Sequence, residues 1–123
     1  MATARPALGH IEITETMVRL YVFLAQELDR CLDEAARQSF PESELQKHLA
    51  DTRTKLLEIV QVNPVVKGKV EQECERVLSL AAVCLKGGPD KDKQLAAVKA
   101  ERAILKNKTI ALSDLLAVFR ALS

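Results

Sequence analysis

The chain has 123 residues, of which 48% are hydrophobic, 28% charged and only 3% aromatic, with no Trp and a single Tyr. That length suits one domain with a substantial core, and the composition is neither disordered nor collagenous. So few aromatics and only four Gly and four Pro argue against a β-sandwich, leaving a core of Leu, Val, Ile and Ala. The formal charge is +1, unevenly divided. Residues 1–62 hold seven Lys/Arg against ten Asp/Glu, and residues 63–123 hold eleven against seven. The imbalance tolerates acidic partners without demanding nucleic acid.

The N-terminus, MATARPALGH, has one Arg and no apolar run, unlike a secretory signal. The longest uncharged run, Val77 to Leu85, is nine residues, about half a membrane span. Cys31, Cys74 and Cys84 all sit in apolar helical patterns, and Cys74 and Cys84 are too far apart on one helix to bridge. Reduced, buried thiols in a cytoplasmic or nuclear protein are the expectation.

In chain order, Pro6 and Gly9 discourage helix, so residues 1–13 are expected to form an arm ahead of a bundle domain over 14–123. Thr14 or Thr16 can cap a first helix ending near Gln38, with Met17, Tyr21, Leu24, Leu28, Cys31 and Ala35 on one stripe. Ser39 and Pro41 restart the chain, with Glu42 completing a capping box. The second helix then buries Leu45, Leu49, Thr52, Leu56, Ile59 and Val60. Asn63-Pro64 ends it and opens a third, whose inner face is Val66, Val70, Cys74, Val77, Leu78, Ala81 and Leu85, with the regular part expected only after Gly68. Gly87-Gly88-Pro89 is the clearest stop signal, and Asp90 can cap a fourth helix. From there to Leu122 no Gly or Pro occurs, and Leu95, Val98, Arg102, Leu105, Thr109, Leu112, Leu116 and Phe119 recur at helical spacing. The stretch is one long helix or two, with breaks available between 107 and 113. Four helices with short turns predict an all-α, up-down-up-down four-helix bundle.

Catalytic and metal-binding signals are sparse. His10 and His48 are the only histidines, no Glu-x-x-His occurs, and no Cys/His set has zinc spacing. No phosphate loop is present, and no catalytic, metal or cofactor residue is assigned. Arg102 is the one charge on an inward seam, which would serve a small helical enzyme if carboxylates converged on it. The lysines of the second half raise nucleic acid as an alternative, but they scatter around the helix and lack exposed aromatics for base stacking.

Two segments hold more apolar surface than one core stripe needs: Met17 to Ala25 and Ile110 to Phe119. An up-down bundle sets them at the same end. Leu20, Val22, Phe23, Ile110, Leu115, Leu116 and Phe119 are therefore the expected protein-interaction residues, for another protein or a second copy of the chain. Leu8, Ile11 and Ile13 of the arm could instead fold back as a cover.

Overall fold

A computed structural model describes residues 6–37, 42–86 and 89–122, and it has four helices with no strand among them. They are α1 (Pro6–Arg37), α2 (Glu42–Gln61), α3 (Pro64–Lys86) and α4 (Lys91–Leu122). The fold is all-α, with helix contacts of a four-helix bundle.

The first helix starts eight residues before the expected boundary of residue 14. Proline is tolerated in a first helical turn, where its missing N–H has no partner to lose. Gly9 costs the helix about 1 kcal/mol, which tertiary burial offsets. Ile11 and Thr14 are buried and Ile13 packs on the core, so this segment is the continuation of α1 and not an arm folded back. Leu8 lies among side chains outside those described. Thr16 is buried inside the helix, donating its hydroxyl to the Glu12 carbonyl at 2.9 Å, and neither it nor Thr14 is a cap.

The restart at Ser39 and Pro41 also falls outside the described residues. Asn63 ends α2 and caps α3: its side-chain oxygen accepts from the Val65 N–H at 3.2 Å, and its carbonyl accepts from Val66 N–H at 3.0 Å. Helix α3 is regular from Pro64 onward, through Gly68. Asp90 starts α4, accepting from the Gln94 N–H through its carbonyl at 3.0 Å. Helix α4 then runs unbroken for 32 residues, through Asn107 and Ser113-Asp114. Asn, Ser and Asp are merely weak helix formers, and packing overrides that preference.

The bundle is asymmetric. Helix α1 touches all three others and lies most extensively along α4, whereas α2 packs on α1 and α3 and scarcely meets α4. Leu20, Leu24, Leu28 and Cys31 of α1 are fully buried, joined by Val66 and Val77 of α3 and Val98 and Leu105 of α4. Ion pairs fix the antiparallel register of α1 and α4: Asp29 meets Arg102 and Lys106, and Glu15 meets Arg120. At one end His10 stacks on Phe119, ring centroids 5.3 Å apart.

Three helices are tied by one polar cluster. Tyr21 donates its hydroxyl to Glu73 of α3 at 2.6 Å, Lys108 of α4 pairs with the same carboxylate, and the Lys108 ammonium lies 5.6 Å from the Tyr21 ring centre. Burial raises the Tyr21 hydroxyl well above its ordinary pKa, and the Glu73 carboxylate adds to that. Burial alone would raise Glu73 as well, but hydrogen bonds from Lys108 and Tyr21 and the charges of Lys108 and Arg76 outweigh it and hold the carboxyl below its ordinary value.

Candidate functional site: the outer face of the fourth helix

The expected interaction residues divide. Leu20 has no exposed surface, and Leu116 is buried. Leu20 is a correction to the surface expectation, with a clear cause. A helix flanked by three others needs a wider apolar arc than one flanked by two, and α1, like α3, has three neighbours whereas α4 has two. Its surplus from Met17 to Ala25 is largely used inside the fold: Leu20, Tyr21, Leu24 and Ala25 are buried, and Met17 and Phe23 pack against the core.

Helix α4 has no such use for its surplus. It packs on α1 and α3 alone, and ten large hydrophobics stand exposed among the described residues, five of them on this helix. These are Ile104, Ile110, Leu115, Val118 and Leu122, the last 74% exposed. At 100° per residue, Ile104, Ala111, Leu115, Val118 and Leu122 fall within about 60° of one another. They form a second apolar stripe, roughly 100° from the one that enters the core through Val98, Leu105, Leu112 and Leu116. At a rise of ~1.5 Å per residue the stripe is about 27 Å long.

Charged partners locate it. Glu101 and Lys108 of α4 reach Arg76 and Glu73 of α3, on the flank nearer the stripe, whereas Arg102, Lys106 and Arg120 reach α1 on the other flank. The stripe therefore borders α3. Val65, in the first turn of α3, is 55% exposed. Lys69, Gln72 and Arg76 of α3 line a shallow polar groove with Glu73 and Lys108 between the two helices.

Val22 and Ile110 lie elsewhere. Val22 shares a side of α1 with Glu15 and Asp29, the residues that pair with α4, and Ile110 lies beyond Lys106 on α4. Both are exposed, but on the α1 side of α4, away from the Leu115 stripe. Phe23 is half-buried beside α2, and Phe119 is half-buried in its stack with His10. The seven residues are not one patch. Of them only Leu115 belongs to the long stripe, and Ile104, Val118 and Leu122 are its unanticipated members. Their spacing of 104, 111, 115, 118 and 122 is visible in the sequence, masked by the core stripe that interleaves with it.

The interior arginine site is not found. Arg102 is 35% exposed, and its guanidinium donates to Asp29 at 3.1 Å at the rim of the α1–α4 seam. The charge of α4 that does face inward is Glu101, one residue earlier, buried and held by Arg76 at 2.8 Å. Several basic residues of the second half are likewise engaged: Lys106 with Asp29, Lys108 and Arg76 with Glu73. Among the described residues, no helix is long and apolar enough to cross a membrane.

Two further features were not legible from spacing. Leu56, Leu57, Val60, Val70 and Leu78 line an open apolar groove between α2 and α3, closed on one side by the Arg53–Glu75 pair. In addition, Glu27 and Cys31 of α1 meet His48 of α2 in the interior, their ligating atoms all within 4.8 Å of one another. Cys/His spacing alone gives no hint of that cluster, because the histidine comes from a different helix. The three cysteines are free thiols. Burial, reinforced by the Glu27 charge, raises the Cys31 thiol far above its ordinary pKa, and burial likewise raises Cys84. Such thiols are poor nucleophiles.

No protein family, curated protein or solved structure matches this chain.

Proposed function

We propose that the chain is a non-enzymatic protein-interaction module that receives an amphipathic helix of a partner protein along the outer stripe of α4. One observation carries the reading: α1 spends its apolar surplus inside the bundle, and α4 leaves Ile104, Leu115, Val118 and Leu122 exposed in a row. A row spaced at seven, four, three and four residues, about 27 Å long and crossed by Lys108 between Ile104 and Ala111, accepts a partner helix of about five turns, whose own apolar residues interdigitate with it. The groove bordering the stripe carries Lys69, Arg76 and Lys108 against Glu73, with Glu101 also holding Arg76, which leaves one positive charge unbalanced there. The proposed partner helix accordingly carries acidic residues beside its apolar face. A cytoplasmic or nuclear setting fits three free thiols.

Replacing two central residues tests this. Leu115→Asp with Val118→Asp should leave helicity and melting temperature near wild type, since both side chains are exposed, and should abolish partner binding. Unchanged binding would refute the site. A concentration-dependent dimer of the wild-type chain, dissolved by the same double variant, would make a second copy the occupant. Binding that instead falls steeply with salt and survives the double variant would favour nucleic acid.

A further inference from the structure

The meeting of Glu27, Cys31 and His48 has the composition of a metal site. Glu27 and Cys31 are one helical turn apart on α1, so their side chains share a face, and His48 enters from α2 opposite them. All three are buried. The Cys31 sulfur lies 3.9 Å from a Glu27 carboxylate oxygen, and the His48 Nε2 hydrogen-bonds to that same oxygen. A tetrahedral ion with bonds of ~2.0–2.3 Å holds its ligand atoms roughly 3.3–3.8 Å apart. The Cys–Glu spacing is already close to that, and the His–Glu contact would open to admit the ion.

We infer that Glu27, Cys31 and His48 bind one zinc-class divalent transition-metal ion that clips α2 to α1. Thiolate, imidazole and carboxylate together suit a borderline-soft ion such as Zn²⁺ and not the hard, all-oxygen preference of Mg²⁺ or Ca²⁺. A surface hollow lined by Gln26, Arg30, Asp51 and Lys55, together with Glu27 and His48, leads outward from the cluster. The fourth coordination position therefore falls to water entering there. Binding exchanges the Cys31 thiol proton for the metal, so ion uptake releases a proton to solvent. The mechanical consequence comes from the asymmetry of the bundle. Helix α2 has scarcely any contact with α4, and a metal bond to α1 would compensate for that.

Without metal, the same three groups form a buried hydrogen-bonded cluster, and experiment separates the two. Metal-free reduced protein, kept in a phosphine reductant, is titrated with Co²⁺ and followed by absorption. The inference predicts saturation at one ion per chain, with a thiolate-to-cobalt charge-transfer band in the near ultraviolet. Cys31→Ser should abolish the band, and His48→Gln should weaken Zn²⁺ binding at least ~100-fold, beyond the ~10–100-fold typical of residues that merely support a ligand. The Cys74→Ser/Cys84→Ser double variant should keep both. Should Cys31→Ser unfold, Zn²⁺ added to the wild type still decides, because saturating metal must raise the melting temperature. No band, a band that survives Cys31→Ser, or an unmoved melting temperature would overturn the inference.

Discussion

Leu20 and Leu115 come from the two apolar segments that look alike in the sequence, and truncating each to Ala should give opposite results. Leu20 is fully buried, and its side chain beyond Cβ is three carbons. At ~0.8 kcal/mol per carbon group, losing them costs about 2–2.5 kcal/mol of transfer free energy. A residual cavity of roughly 50–100 Å³, at ~24 cal/mol per Å³, adds ~1–2.5 kcal/mol, giving about 3–5 kcal/mol in total. Against a whole-chain stability of roughly 6–18 kcal/mol, that is a large fraction. At about 4 °C per kcal/mol for a domain of this size, the melting temperature should fall by ~12–20 °C. Leu115 is 43% exposed and leaves no enclosed cavity, so Leu115→Ala should cost under ~1 kcal/mol. Urea denaturation followed by helical circular dichroism measures both, with an unchanged slope confirming that only stability moved. If Leu20→Ala cost less than ~1 kcal/mol, or both variants cost the same, the division between a consumed and an unconsumed apolar surplus would be wrong.

Tyr21→Phe removes the hydroxyl that donates to Glu73 and should destabilise by about 1–2 kcal/mol, read from the same urea curves. Because Glu73 is held below its ordinary pKa in the folded state, its contribution is present above the unfolded value near ~4.3 and is lost as pH falls through the lower folded value. The stability gap between wild type and Glu73→Gln should therefore narrow below about pH 4.3, and a gap constant down to pH 3 would contradict this. Arg102→Ala should cost less than ~1 kcal/mol, and less still in high salt, since its pair with Asp29 is half exposed; a loss of folding would restore an interior role. For the thiols, burial pushes Cys74 up to about 11 and raises Cys31 and Cys84 as well. At pH 8 the native protein should alkylate slowly, Cys74 fastest because it alone is partly exposed; rapid labelling of Cys31 by mass spectrometry would show the interior to be open.

Helix number, turn positions and most core residues were readable because each rests on local chemistry: Asn63-Pro64 as cap and first turn, Leu24, Leu28 and Leu105 at helical spacing. The start of α1 was not, because Pro6 and Gly9 are locally discouraging and the offsetting burial of Ile11 and Thr14 comes from helices distant in sequence. The same limit applied to Leu20. Periodicity reveals how much apolar surface a helix owns, while the number of neighbours decides how much is consumed, and α1 has three. Arg102, on the predicted inward stripe, sits at its rim toward α1, while Glu101, on the flank toward α3, is the buried charge of this helix; spacing places both near the core face and does not say which flank a neighbour covers. Glu27, Cys31 and His48 needed the fold itself, since their proximity depends on the register between α1 and α2.

In the proposed function the outer stripe of α4, and no other exposed face, receives a partner helix. A photoreactive amino acid placed singly at Val118, at Val22 or at Leu57 tests it most directly, these three lying on the stripe, on the far side of the α1–α4 seam and by the α2–α3 groove. In the presence of the partner, position 118 should crosslink efficiently, with adducts mapping to an amphipathic, acid-flanked helix, and positions 22 and 57 should give little. Efficient crosslinking from 22 or 57, with none from 118, would contradict the claim.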